Sequence, residues 1–109
     1  MYQVVFTPEA EDQLTDLYRY IAEVSSPEIA SGYTDAIVTY CEGLAQFPGR
    51  GTARSDIRPG LRTTSYKKRT IIAFSILDDK LAIIGIFYGG RDYETILRDT
   101  DTSDEASPE

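Results

Sequence analysis

Two helical stripes, each introduced by a hydroxyl residue and a proline, precede three strands joined by very short turns, and that order leaves the chain few ways to fold. Thr7-Pro8 and Ser26-Pro27-Glu28 each set a capping oxygen before a residue suited to the first helical position. After the first, Ala10, Leu14, Leu17, Tyr18 and Ile21 recur at helical spacing, and this helix is expected to end near Val24. After the second, Ile29, Tyr33, Ala36, Ile37, Tyr40, Leu44 and Phe47 form a longer stripe that Pro48-Gly49 terminates. So short a link implies an antiparallel hairpin. "YQVVF" before it reads as a strand, and "GLRTTSY", "TIIAFSIL" and "KLAIIGIFY" after it read as three more, with turns at Lys67-Lys68 and Asp78-Asp79. Short turns force antiparallel neighbours, and the apolar character of the last two strands suits central positions. The order β-α-α-β-β-β is α+β: a helical hairpin on a mostly antiparallel four-stranded sheet. Gly85, inside the last strand, marks a bulge or a close backbone approach. In "FYGGRDYETIL", two glycines allow a sharp turn, Asp92 caps a short C-terminal helix, and Arg91 is left at the end of the sheet.

A chain of 109 residues with 41% hydrophobic content suits one domain with a modest core. The lone Cys41 falls on the apolar side of the second helix, where it packs and has no partner for an internal disulfide. No export segment opens the chain and no apolar run approaches the roughly 20 residues of a membrane helix, so a cytoplasmic protein is expected.

The formal charge of −7 is distributed unevenly. Eight acids against one base, Arg19, lie between Glu9 and Glu42, whereas Arg50 to Arg69 holds seven bases against one acid, Asp56. Asp101, Asp104, Glu105 and Glu109 lie in the closing "DTDTSDEASPE", so the domain is taken as 1–98 and residues 99–109 as a disordered acidic tail. Such a balance argues against direct nucleic-acid binding.

With no histidine, the commonest general base and metal ligand near neutral pH is missing. Asp78 and Asp79 are turn residues rather than metal ligands. The glycines of "PGRGT" and "YGGRD" lack the spacing and the Lys-Ser or Lys-Thr of a nucleotide loop. No cofactor, metal or catalytic residue is indicated. What remains is Arg58, Arg62, Lys67, Lys68 and Arg69, with Arg91. The first five read either as a solvated edge that discourages sheet pairing, or as cations on one exposed face suited to nucleic acid or an acidic protein segment. Arg91 has a plain alternative in an ion pair with Asp92, Glu94 or the first helix.

The order of elements, with "FTPEAEDQLTDLYRYI", "FPGRGTARSDIRPGLR" and "FYGGRDYETIL", resembles the ParE/RelE toxin superfamily, its ParE branch most closely, over residues 2 to 98. The resemblance implies a cytoplasmic toxin of a type II toxin-antitoxin system that blocks DNA gyrase without catalytic chemistry of its own. It implies neutralisation by a ParD-like antitoxin, and partner contacts at the six cations named above. Two alternatives stand beside it. A RelE-like, ribosome-dependent messenger RNA endonuclease shares the fold, but the place of its tyrosine or histidine is held here by Ile96, Leu97 and Arg98. A non-toxic, antitoxin-binding relic would fit the acidic net charge.

Overall fold

The computed structural model of the protein describes residues 2–90 and 93–98. Its elements are β1 (Gln3–Phe6), α1 (Pro8–Val24), α2 (Pro27–Gly43), a 3-10 turn (Leu44–Gln46), β2 (Thr52–Ala53), β3 (Leu61–Tyr66), β4 (Thr70–Leu77) and β5 (Lys80–Tyr88). A last short helix, α3, covers 93–98. The sheet order is β1-β5-β4-β3-β2, with β1 parallel to β5 and all other neighbours antiparallel.

The sheet therefore has five strands, not four. The additional strand, β2, is two exposed residues paired with Arg62 and Thr63. Gly51 before it has φ +84°, and a Cβ there would press on the Thr63 carbonyl, so the glycine lets β2 approach its neighbour.

Both helix starts follow the capping logic. Thr7 Oγ1 accepts from the Ala10 N–H at 3.2 Å and Ser26 Oγ from the Ile29 N–H at 3.1 Å. The second apolar stripe runs out differently from its spacing. Beyond Gly43 the chain tightens into the 3-10 turn, whose period of three residues rotates Phe47 off the core face and leaves it 59% exposed. Cys41 is fully buried, and burial, helped by the neighbouring Glu42 charge, pushes its thiol up to about 12. It is a packing residue of the core.

β4 and β5 are covered on both faces. Under the hairpin lie Ile37, Leu44, Ile72, Phe74, Leu81 and Ile83 with residues from both helices. On the other face Ile57, Leu61, Ala73, Phe87 and Leu97 form a smaller core closed by α3. Burying each such large side chain contributes about 1.5–3 kcal/mol, which makes the paired central strands the firmest part of the molecule.

The register of β4 on β5 slips between Ala73 and Phe74, leaving Ile84 as an extra residue beside Gly85. α1 takes up the backbone groups freed there. The Ile86 N–H donates to Gln13 Oε1 at 2.7 Å, and the Thr7 hydroxyl donates to the Ile84 carbonyl at 3.3 Å. Gly85 is thus both a bulge residue and a point of close approach.

Candidate functional site

Five tyrosines form a continuous row along one end of the hairpin and sheet. Tyr33 and Tyr40 lie seven residues apart on α2, two helical turns, and so share a face. Tyr66 and Tyr88 end β3 and β5, and both pair with Thr70, the first residue of β4. Tyr33 lies over that pairing. Its hydroxyl shares a 2.9 Å hydrogen bond with Thr70 Oγ1, and its ring meets Tyr66 at 6.1 Å and Tyr88 at 5.9 Å, both edge-on. Tyr40 extends the row from Tyr66 at 5.1 Å and bonds Thr64 Oγ1 at 3.1 Å. Tyr20, from α1, extends it past Tyr88 at 6.2 Å and is 52% exposed.

Cations flank this row. The Arg50 guanidinium lies 5.8 Å from the Tyr40 ring centre and 5.5 Å from that of Phe47, and Lys67 Nζ lies 5.7 Å from that of Tyr66. Arg69 lines a cleft of about 480 Å³ with Asp16, Tyr20 and Tyr88. Lys67 and Lys68 form the β3–β4 turn with φ of 52° and 66°, left-handed values at which asparagine and glycine are the economical residues. Two lysines are held there against backbone preference.

The five sequence-derived cations among the described residues do not form one face. Lys67, Lys68 and Arg69 cluster at the turn beside the row. Arg62 points to the 49–51 loop, donating to the carbonyls of Gly49 at 2.6 Å, Arg50 at 3.2 Å and Gly51 at 3.1 Å. Its contribution is to fix the loop that carries Arg50. Arg58 lines a recess with Phe87, Ile96 and Leu97, on the sheet face covered by α3. Arg91 and Asp92 lie outside the described residues, as does the tail. The turn before them is as expected: Gly89 and Gly90 have φ of 76° and 78°, and the Gly89 N–H donates to the Arg69 carbonyl at 2.9 Å.

Arg54 had no role in the sequence reading, yet it organises the C-terminal end. It forks onto Asp56 at 3.0 and 2.9 Å, donates to the Tyr93 hydroxyl at 3.1 Å, and reaches Glu94 at 2.8 Å. Arg98 lies 3.5 Å from the same Asp56. The hydrogen bonds to Asp56 and then Glu94 raise the guanidinium pKa still further, and those from Arg54 hold the Asp56 carboxyl below its ordinary 3.8. This network pins α3 across the sheet, and it engages Glu94, one of the partners open to Arg91.

Residues 4–93 match the family described as the ParE toxin of type II toxin-antitoxin system, parDE. The chain belongs to the ParE toxin family. It is similar to Toxin ParE3 of Caulobacter vibrioides (strain CB 15), with 30% identity over 89 residues that cover 82% of this chain and 88% of the relative. A solved structure, the chromosomal ParDE TA system from P. aeruginosa, has the same fold at a TM-score of 0.72 and 23% identity, over 82% of this chain and 97% of that one. This ParE-type toxin of a type II toxin-antitoxin system therefore carries the tyrosine row and its cations within the matched region.

Proposed function

We propose that this ParE-type toxin acts in the cytoplasm by inhibiting DNA gyrase, and that a ParD-like antitoxin neutralises it by laying an acidic segment along the tyrosine row. Membership of the ParE family is what supports the gyrase target. The docking surface rests on one observation: a row of contacting rings, open at Tyr20 and flanked by Arg50, Lys67, Lys68 and Arg69. Rigid aromatic side chains are efficient anchors, and cations at the rim favour an acidic segment over a basic one. A disordered segment that orders on binding can cover such an elongated surface on a small domain.

Messenger RNA cleavage asks for a proton-transferring side chain at the scissile phosphate. Tyr93 is committed to Arg54 and to the Phe87 ring, 6.1 Å away, and Tyr66 and Tyr88 are committed to the row. The deciding experiment is a supercoiling assay in which the purified chain is titrated against DNA gyrase. Inhibition with trapped linear DNA is expected. No effect from a folded protein, beside an active control toxin, would reject gyrase and leave the ribosome or a non-toxic relic.

A further inference from the structure

We propose that the antitoxin segment enters the cleft between α1 and β5 in extended form and pairs with the free edge of β5 at 86–88, taking up the line that β1 vacates. β1 lies parallel to β5 only from Gln3 to Phe6, opposite 80–83, because Thr7 and Pro8 turn the chain into α1. Beyond that point no described strand lies beside this edge of β5. α1 and its cap supply substitutes for the first part. The Thr7 N–H donates to the Ile83 carbonyl at 3.0 Å, the Thr7 hydroxyl to the Ile84 carbonyl at 3.3 Å, and Gln13 Oε1 accepts from the Ile86 N–H at 2.7 Å. There the substitutes end. Backbone groups along a strand alternate between its two sides, so Tyr88 points the same way as Ile86, while Gly89 faces β4 and donates to the Arg69 carbonyl. The Ile86 carbonyl and the Tyr88 N–H and carbonyl therefore face away from β4, and no described residue hydrogen-bonds to them.

The cleft of about 480 Å³ opens at this point, with Leu17 and Tyr20 of α1 on one side and Ile86, Tyr88 and Gly89 on the other. Its chemistry selects the occupant. Outward backbone groups on residues about 7 Å apart match one repeat of an extended chain, whereas a helix has already satisfied its own backbone. A side chain of the added strand that turns toward the hairpin meets Leu17 and Tyr20, which suits an apolar residue. Arg69 lines the same cleft without an ion pair to a described carboxylate, while Asp16 has Arg19 at 3.9 Å, so an acidic residue is favoured at the Gly89 end.

This docking mode rests on the antitoxin reading above, and its test separates the two. Amide-resolved NMR compares the labelled toxin free and saturated with the cognate antitoxin. The Tyr88 amide should exchange at least about tenfold more slowly in the complex, whereas the Phe87 and Gly89 amides, turned toward β4, should be protected in both states. The Phe87 Hα, which faces the open edge, should show NOEs to the antitoxin backbone. Binding that leaves Tyr88 exchange unchanged would overturn the added strand and leave the antitoxin surface standing. Slower exchange without those NOEs would assign the cleft to a helix or a lone side chain and equally overturn it, and failure to bind would overturn both readings. Arg69→Gln should weaken the complex about fivefold at low salt with Tyr88 still protected; unchanged affinity would overturn the acidic residue at the Gly89 end.

Discussion

The Phe87 ring folds back over Gly85, so that a Cβ at that position would lie 2.5 Å from two of its ring carbons. Phe87 is itself buried among Ala73, Leu61 and Leu97, so moving its ring aside disturbs that packing. Gly85→Ala should therefore destabilise the domain by about 1–3 kcal/mol through overpacking at the bulge. Gly32, exposed within α2 with nothing within 4 Å of its would-be Cβ, is the control: Gly32→Ala should stabilise by about 0.5–1 kcal/mol. Urea denaturation of both variants checks the pair.

Arg54 ties α3 to the 54–58 loop through Asp56, Tyr93 and Glu94. The depressed Asp56 carboxyl gives a contribution present in full above its ordinary 3.8 and lost as pH falls through the lower folded value. Arg54, shifted upward, stays charged throughout that range. Amide exchange of 93–98, corrected for its intrinsic pH dependence, should thus show constant protection from pH 5 to 8 and lose it below about pH 4. Arg54→Gln should abolish that protection at pH 7 while leaving β4 and β5 protected.

Lys67 and Lys68 occupy left-handed positions at which the Asn-Gly pair is favoured. Removing that conformational cost with the K67N/K68G variant should stabilise the domain by about 1 kcal/mol. A rise in the urea midpoint at unchanged slope would report it.

Thr70 is fully buried, and its hydroxyl is paired with that of Tyr33. Tyr33→Phe keeps the ring contacts but leaves this hydroxyl without its partner, which should cost about 1–2 kcal/mol. Tyr40→Phe, whose partner Thr64 is less deeply buried at 9% exposure, should cost less. Thermal denaturation ranks the two.

Much of this architecture is legible in residue order, because its devices are local. Thr7-Pro8 and Ser26-Pro27 cap helices through neighbouring amides, Asp78 and Lys67-Lys68 turn the strands within a few residues, and Gly85 interrupts an apolar strand at the bulge. β2 was hidden because two residues carry no period, and Phe47 was misplaced because one 3-10 turn breaks the helical count. The tyrosine row was harder to see. Tyr33 and Tyr40 fit an apolar stripe equally well, and only the shared partner Thr70 brings Tyr66 and Tyr88 alongside them. Arg54 has one partner near in sequence, Asp56, but its hold on α3 left no local signal, since Tyr93 and Glu94 lie 39 and 40 residues away. For the same reason the basic run looked like one face, whereas its members are parted between the turn, the 49–51 loop and the α3 side.

Titrating the cognate antitoxin into the toxin and its K67N/K68G variant, at 50 and 300 mM salt, addresses the tyrosine row most directly. Two rim charges of about 1 kcal/mol each correspond to at least a tenfold weaker Kd for the variant at low salt, with the gap narrowing as salt rises. Equal affinities at both salt concentrations, from a variant at least as stable as the parent, would contradict the assignment of this surface to the antitoxin.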